Sequence, residues 1–317
     1  MSSRARKVLL FGLPIVILVG LAAFFWLRRQ PPKATNIVVI LPSSTNPFWV
    51  DVRKGSEQAA TELGEGYTVS IQASLDEDAN SQVSLLNSFL SRGAVDALVL
   101  GPASDIDTVP TVAKYSALKI PVVLIDTELN ADALATNQVN VAGFIGSDNV
   151  DGGRKAAKEM SEALNGRLRR VLLIEGLPVH QSAIDRAGGF NEIAKANNLE
   201  VVSVNGEWKR DKAQELTASQ FSHGKFGGIF ASNDEMALGA VAALKALNVP
   251  RDQWPIIIGF DATQDGLTAV NSGDMHATVQ QDARGLGRNG VLAAVKAMRH
   301  DPSLLSRDLR PVKVVKR

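Results

Sequence analysis

The polar and aromatic side chains that directly follow short apolar runs are the part of this sequence best suited to chemistry. Asn46, Phe48 and Trp49 follow the run NIVVI at the start of a helical pattern. Exposing two adjacent aromatic rings at a loop tip is costly, so they indicate either core packing or a platform for a ligand. Later runs are followed by Asp126, Arg186, Trp208, Asn233, Asp261 and Gln281.

These residue types match the hydrogen-bonding groups of a neutral, polyhydroxylated ligand. Aspartate accepts hydrogen bonds, arginine donates them, and asparagine or glutamine does both. The bonds to charged groups are the stronger ones. The C–H faces of a ring-shaped ligand could pack on Phe48, Trp49 and Trp208, which could supply two opposed aromatic plates. The pattern therefore favours binding of a ligand over conversion of one.

Regular alternation of short β-branched runs with amphipathic stretches predicts the elements that position these side chains. The apolar runs are 36–40, 68–72, 97–100, 121–125, 141–146, 170–175, 200–204, 227–231, 255–260 and 276–280. The helical patterns include 48–63, 79–93, 152–166, 187–198, 234–248 and 286–300. Strands that alternate with helices predict parallel sheets covered on both faces, and ten strands fit two sheets better than one. Since ligands bind beyond the carboxyl ends of such strands, we expect one cleft between two α/β domains.

Taken in order, seven motifs resemble those of the bacterial periplasmic sugar-binding proteins of the ribose-binding type. They are NPFW, the aspartate after PVVLI, GSDNVDGG, RAGGF, SNDEMALGA, GFDATQDG and ATVQQ, and the similarity runs from about residue 36 to the closing VKVVKR. The resemblance implies two doubly wound parallel-sheet domains with a three-segment hinge, and a monosaccharide or related polyol bound between them. It implies ligand contacts from the first domain by Asn46, Phe48, Trp49 and Asp126, and from the second domain and its border by Arg186, Trp208, Asn233, Asp261 and Gln281.

The resemblance also predicts domain bounds and hinge positions. The first domain would comprise 36–147 with 282–309, and the second 148–281 with 310–317. The hinge crossings would lie at 147–149, about 262–265 and about 281–283.

Three positions depart from a ribose binder. Thr127 stands where that protein has an arginine after the aspartate, Gly101 stands where it has an asparagine, and Trp49 stands where a phenylalanine is usual. A sugar or polyol is therefore implied, but not ribose in particular.

Every candidate residue except Asn46 also has a structural interpretation, which the sequence leaves open. These are core packing for Phe48 and Trp49, strand-end turns for Asp126 and Asp261, a surface charge for Arg186, helix caps for Asn233 and Asp234, a surface aromatic for Trp208 and a hinge hydrogen bond for Gln281.

Composition and motifs argue against several other classes of function. With 34 basic and 33 acidic residues, the net charge of the chain gives no reason to expect binding to nucleic acid. It has no cysteine and its four histidines share no metal-ligand spacing, so we expect no disulfide and no metal. The segment 285–290, GLGRNG, matches a dinucleotide fingerprint but lacks the later acidic residue, so no cofactor is expected. No pair of carboxylates stands out as acid and base; carboxylates in a cleft leave a glycosidase formally open, but the prediction is a protein that is not an enzyme.

An apolar stretch near the N-terminus predicts export. Residues 8–27 form twenty apolar residues between basic flanks, enough to reach about 30 Å as a helix. We expect a periplasmic protein anchored in the inner membrane by this stretch, with 1–35 as anchor and spacer; a cleaved signal peptide and a buried core helix are the alternatives. The expected partner is an ABC permease, and the chain is expected to be monomeric. The alternative role is a sugar receptor for a chemoreceptor or histidine kinase, and a transcription regulator comes third.

Overall fold

Two six-stranded sheets organise the chain, whose computed structural model describes residues 34–75 and 77–317. The first sheet contains β1 (Thr35–Leu41), β2 (Tyr67–Ala73), β3 (Ala97–Leu100), β4 (Val122–Ile125), β5 (Gly143–Ser147) and β11 (Arg307–Arg310). The second contains β6 (Arg170–Glu175), β7 (Glu200–Asn205), β8 (Gly228–Ala231), β9 (Ile256–Asp261), β10 (Ala277–Gln280) and β12 (Lys313–Lys316). The strand orders are β11-β5-β4-β3-β1-β2 and β12-β10-β9-β8-β6-β7. All pairs are parallel except β10 with β12.

Helices cover both faces of each sheet. Those packed with the first sheet are α1 (Pro47–Leu63), α2 (Ala79–Arg92), α3 (Val109–Ala117), α4 (Ala131–Thr136) and α10 (Ala283–Met298). Those packed with the second are α5 (Asn149–Leu164), α6 (Gln181–Ala196), α7 (Arg210–Ser222), α8 (Asp234–Ala246) and α9 (Gln264–Ser272). We call the first sheet with its helices the first lobe, and the second sheet with its helices the second lobe. The prediction of two doubly wound α/β domains is confirmed.

Alternation along β1 shows why the chain forms buried strands. Ile37, Val39 and Leu41 join the core beneath α1 and α10, whereas Val38 and Ile40 join the core beneath α2 and α3. Successive side chains of a strand point to opposite faces, so a continuous apolar run is what a sheet covered on both sides requires.

Glycines allow α1 and α10 to approach closely. A Cβ atom on Gly287 would lie 1.9 Å from the carbonyl oxygen of Val52, and one on Gly55 would lie 1.9 Å from that of Arg284. The segment 285–290 therefore lies within a helix packed on its neighbour, and not in a loop between strand and helix.

The chain crosses between the lobes three times, and one predicted crossing is wrong. The crossings lie at residue 148, at 281–282 and at 311–312, between elements that belong to different sheets. Residues 262–265 do not cross, because β9 and β10 share a sheet and α9 between them packs on α8 and β10. The third crossing follows β11, a strand absent from the predicted set: its sequence RDLR is half exposed and carries no apolar run.

The predicted anchor at residues 8–27 lies outside the described residues. Within 34–75 and 77–317, no helix is long and apolar enough to cross a membrane.

Candidate functional site

The sequence-predicted binding residues surround one cavity between the lobes. In each sheet the strand order changes direction beside the first strand of its lobe, between β1 and β3 and between β6 and β8, which is where ligands bind in open parallel sheets. The cavity has a volume of about 390 Å³ including its open mouth. Its lining contains all nine predicted residues, Asn46, Phe48, Trp49, Asp126, Arg186, Trp208, Asn233, Asp261 and Gln281. The structure brings these side chains together, and their contact with a ligand stays a prediction.

The two aromatic residues of α1 serve both the core and the cavity. Phe48 and Trp49 are only 6% and 5% exposed and belong to the apolar cluster of the first lobe, yet both line the cavity. Their rings meet edge to face, with centroids 5.0 Å apart. Asn46 caps the helix, because its side-chain oxygen accepts a hydrogen bond from the Phe48 amide at 3.0 Å. Core packing therefore fixes the orientation of the aromatic platform.

Two of the departures from a ribose binder are physically linked. A Cβ atom on Gly101 would lie 2.8 Å from two carbons of the Trp49 indole, closer than a packed structure tolerates. The larger ring at position 49 therefore occupies the space that a side chain at position 101 would need.

Asp126 lines the cavity and has one carboxylate oxygen without a hydrogen-bond partner among the described residues. Its backbone adopts a left-handed conformation with φ of 65°, which is costly for a residue with a side chain and recurs at functional sites. Oδ2 accepts a hydrogen bond from the Thr127 hydroxyl at 3.0 Å, whereas buried Oδ1 has no partner among the described residues. Burial raises the pKa of Asp126, and the charge of Arg186 opposes that rise. Asp126 is thus placed to accept a hydrogen bond from a ligand hydroxyl.

Arg186 lies at the centre of the site, so its interpretation as a surface charge is wrong. The residue is 4% exposed. Its Nε donates to Asn149 Oδ1 at 2.8 Å and its Nη1 to the Ser232 carbonyl at 2.7 Å. The guanidinium carbon lies 3.8 Å from the centroid of the Phe260 ring. These contacts hold one positive charge in a fixed position where it can donate to a ligand.

Asp261 is the second buried carboxylate of the site, and it is paired with Gln281. Gln281 Nε2 donates to Asp261 Oδ1 at 2.6 Å, and Arg186 Nη1 lies 3.9 Å from the same oxygen. Burial raises the pKa of Asp261 well above its ordinary value, against the attraction of Arg186. Gln281 Oε1 is buried without a partner among the described residues, so a ligand donor could satisfy it.

Asn233 caps α8, and the interpretation of Asp234 as the cap of this helix is wrong. Asn233 Oδ1 accepts from the Met236 amide at 2.8 Å, while its Nδ2 donates to the Trp208 carbonyl at 3.2 Å. The side chain keeps one N–H and one lone pair for other contacts. Asp234 points into the lobe, where it accepts from both the amide and the hydroxyl of Thr263.

Trp208 is a buried wall of the cavity, so its interpretation as a surface aromatic is wrong. The residue is 9% exposed and its ring lies against Gly176, where an added Cβ would be 2.0 Å from an indole carbon. Its backbone φ is 64°, again in the left-handed region. The indole N–H donates to His180 Nδ1 at 3.1 Å, so this donor is not available to a ligand.

Sequence reasoning missed several residues of the lining. They are Pro42, Glu77, Pro102, His180 and Ser182. His180 follows strand β6, so the rule that found the other candidates would also have found it. Among the described residues there is no group of three or more His, Cys, Asp or Glu side chains that could hold a metal.

Comparison with known proteins places this architecture in a family. Residues 37–302 match the family profile of the periplasmic binding protein domain. The chain belongs to the periplasmic binding protein family. This periplasmic binding protein is 32% identical to the ribose import binding protein of Haemophilus influenzae, over 92% of this chain and 93% of that protein. It is 31% identical to the D-allose-binding periplasmic protein of Escherichia coli, over 83% and 85% of the two chains.

Solved structures agree with the fold of this periplasmic binding protein. An ABC transporter solute binding protein from Agrobacterium vitis with bound D-fucose superposes with a TM-score of 0.79 at 29% identity, covering 89% of this chain and 95% of that one. A periplasmic solute binding protein from Actinobacillus succinogenes with bound D-allose gives a TM-score of 0.81 at 23% identity, covering 89% and 97%, and this match concerns the fold alone. The family binds solutes without converting them, and membership implies a periplasmic location.

Proposed function

We propose that this periplasmic binding protein captures a monosaccharide or related polyol between its lobes and presents it to an ABC importer. One observation carries the proposal. Asp126 Oδ1 from the first lobe and Gln281 Oε1 from the border of the second are buried acceptors without partners among the described residues, and both belong to residues that line the same cavity. An unsatisfied buried polar atom costs about 1–3 kcal/mol, and ligand hydroxyls would remove that cost.

The charge distribution supports an uncharged ligand with many hydroxyls. Asp126 and Asp261 both interact electrostatically with the guanidinium of Arg186, so that positive charge is compensated by carboxyl groups of the same wall. A strongly charged ligand would disturb that compensation, whereas hydroxyls can donate to the carboxylates and accept from arginine. Phe48 and Trp49 on one side and Trp208 on the other supply aromatic surface for C–H faces.

The relatives point to the same class of ligand. Their names specify ribose, D-allose and, for a protein from Rhizobium meliloti, a rhizopine. The Gly101–Trp49 pair and Thr127 replace polar contacts of a ribose binder, so we propose a sugar or polyol that presents less polar surface to the first lobe. No specific observation favours the alternative of signalling to a chemoreceptor or a histidine kinase.

Binding would proceed by rotation of the lobes about the three crossings. A ligand that contacts residues of both lobes binds the closed arrangement more tightly and so shifts the population towards it. We propose that the first lobe comprises 36–147 with 282–309 and the second 148–281 with 310–317. Sheet membership supports these bounds, except that Thr35 begins β1 and Arg310 pairs with Ser147, both in the first sheet.

Delivery to an importer also requires a location, and we propose that residues 8–27 anchor the protein in the inner membrane as a monomer. Full-length protein expressed in a bacterium should then stay with washed membranes at its full mass. A shortened form released into the periplasm would support a cleaved signal peptide instead.

A thermal-shift screen tests the binding function. Full-length protein would be heated with D-ribose, D-allose, D-fucose, L-arabinose and myo-inositol, each at a concentration far above a micromolar dissociation constant. Ligand at about 100 times its dissociation constant adds about 2.7 kcal/mol of stability, so a true ligand should raise the melting midpoint by several degrees. The Asp126→Ala variant should lose the shift, and Asp132→Ala, an exposed aspartate of the same lobe, should keep it. No shift with any of these or with a wider panel of sugars would refute the proposal.

A further inference from the structure

His180 makes two hydrogen bonds that together indicate its tautomer. Its Nδ1 accepts from the Trp208 indole N–H at 3.1 Å, and its Nε2 lies 3.0 Å from the carbonyl oxygen of Ala103. A neutral imidazole has one donor and one acceptor nitrogen. Because Nδ1 accepts, the proton lies on Nε2, where it donates to Ala103. The indole N–H therefore selects the tautomer that can reach Ala103.

The two bonds connect different lobes. Trp208 and His180 follow β7 and β6 in the second lobe, whereas Ala103 follows β3 in the first. His180 and Ala103 are each 4% exposed, so water competes poorly for the bond between them. The chain Trp208–His180–Ala103 thus runs from a wall of the cavity across the cleft to the opposite lobe.

The acceptor on the first lobe is held in place by its own side-chain contact. Gln82, which is fully buried, donates to the Gly101 carbonyl at 2.8 Å and accepts from the Ala103 amide at 2.8 Å. This loop also carries Gly101 beneath the Trp49 indole. The Ala103 carbonyl is therefore fixed relative to the aromatic platform of the first lobe.

We propose that His180 is a positioning residue that orients the Trp208 ring and holds the lobes in the arrangement of this structure. The indole N–H is consumed by this contact, so Trp208 offers its ring face alone to the sugar. Orientation of that ring and closure of the cleft are then coupled through one chain of hydrogen bonds. The role of the ring towards a sugar rests on the proposed function, whereas the link between the lobes does not.

The link can be tested without any ligand. Because the chain has no cysteine, cysteines introduced at exposed Asn80 and Lys209 would carry the only two spin labels. Lys209 lines a second groove between the lobes, and Asn80 follows Ala79, which lines the same groove from the first lobe. Electron–electron distance measurements on the full-length, sugar-free protein would give the populations of short and long separations.

Replacing His180 should shift those populations by an amount that corresponds to the free energy of one hydrogen bond. We expect His180→Ala to lower the ratio of short to long separations by about three- to tenfold. His180→Asn places an acceptor near the former Nδ1 but cannot reach Ala103, so it should lower the ratio similarly. The asparagine variant also guards against a folding defect in the alanine variant.

The Trp208 indole N–H gives an independent readout. Its cross-peak in a ¹⁵N correlation spectrum, assigned with Trp208→Phe, should move upfield and exchange faster in His180→Ala but move less in His180→Asn. The Trp254 indole N–H donates to the Val249 carbonyl at 2.9 Å and serves as the matched control that should not move.

The outcomes separate this inference from the proposed function. An unchanged distance distribution in both His180 variants would overturn the proposal, whatever the indole resonance does. A stationary Trp208 resonance in His180→Ala would overturn the orienting role. Titration of the labelled wild type with D-ribose and D-allose comes afterwards, so a failure to bind sugar would count against the proposed function and not against the link.

Discussion

Adding a single methyl group at Gly101 should displace the Trp49 indole and lower the stability of the first lobe. The new Cβ would lie 2.8 Å from two indole carbons and 3.3 Å from a ring carbon of Pro42. Ordinary contact requires at least 3.4 Å, so the indole would have to move by more than half an ångström within a buried cluster. Overpacking of this kind costs about 1–3 kcal/mol. We expect Gly101→Ala to lower the free energy of unfolding by about 2 kcal/mol.

A second substitution should recover much of the free energy of unfolding that Gly101→Ala removes. Trp49→Phe removes the ring carbons that the new methyl group would meet, at its own cost of about 1–3 kcal/mol for lost contacts. In the double variant the phenyl ring and the methyl group would share the space. We therefore expect the double variant to be more stable than the sum of the two single changes by about 1–2 kcal/mol.

Urea unfolding of the sugar-free protein, followed by circular dichroism, measures these differences. Gly188→Ala is the matched control, because a Cβ at that helical glycine meets nothing within 4 Å and should leave stability equal or slightly higher. Strict additivity of Gly101→Ala and Trp49→Phe would refute the coupling, and a neutral Gly101→Ala would refute the contact itself.

Three further substitutions test the site and the packing beneath it. Asp126→Asn should weaken the binding of the stabilising sugar, and calorimetric titration should show a loss of binding free energy of about 1.5 kcal/mol or more. Equal weakening by Asp132→Asn would contradict the assignment of Asp126 as a ligand contact. Burial raises the pKa of Asp234 to about 7, so the native state keeps a proton that the unfolded chain releases near pH 4. Stability should therefore fall as pH rises from about 4 to 7, and Asp234→Asn should flatten this fall in melting midpoints; an unchanged slope would contradict the buried acid. Gly287→Val should push the backbone of Val52 away and destabilise the first lobe by about 3 kcal/mol or more in urea unfolding, and a native midpoint would contradict the close helix approach.

Three residues of the site have a strained backbone. Asp126, Trp208 and Asp261 all have positive φ values, at 65°, 64° and 114°. Each such residue costs about 1–3 kcal/mol, which the surrounding core must offset. These backbone conformations direct the side chains at the ends of strands towards the cavity. A regular extended backbone would not place them there.

Local pattern was enough to predict the strands and the position of most of the site. The continuous apolar runs such as NIVVI and ALVL reflect burial on two faces, and such runs are local features of the sequence. Because the carboxyl ends of parallel strands share an edge, the polar residues that follow them were expected at one cleft, and all nine line one cavity. The lobe bounds and the ligand contacts remain predictions.

The sequence by itself determined which residues form buried strands and which polar groups follow them, because an apolar run and the residues at its end are local properties of the chain. The tertiary structure alone decided what depends on contacts distant along the chain. It placed the half-exposed RDLR segment beside β5, showed that 262–265 stays within one lobe, and buried Arg186 between Asn149 and Ser232. It also set Trp49 over Gly101 and His180 against Ala103, since a steric clash or a hydrogen bond across the cleft exists only when two separate loops meet.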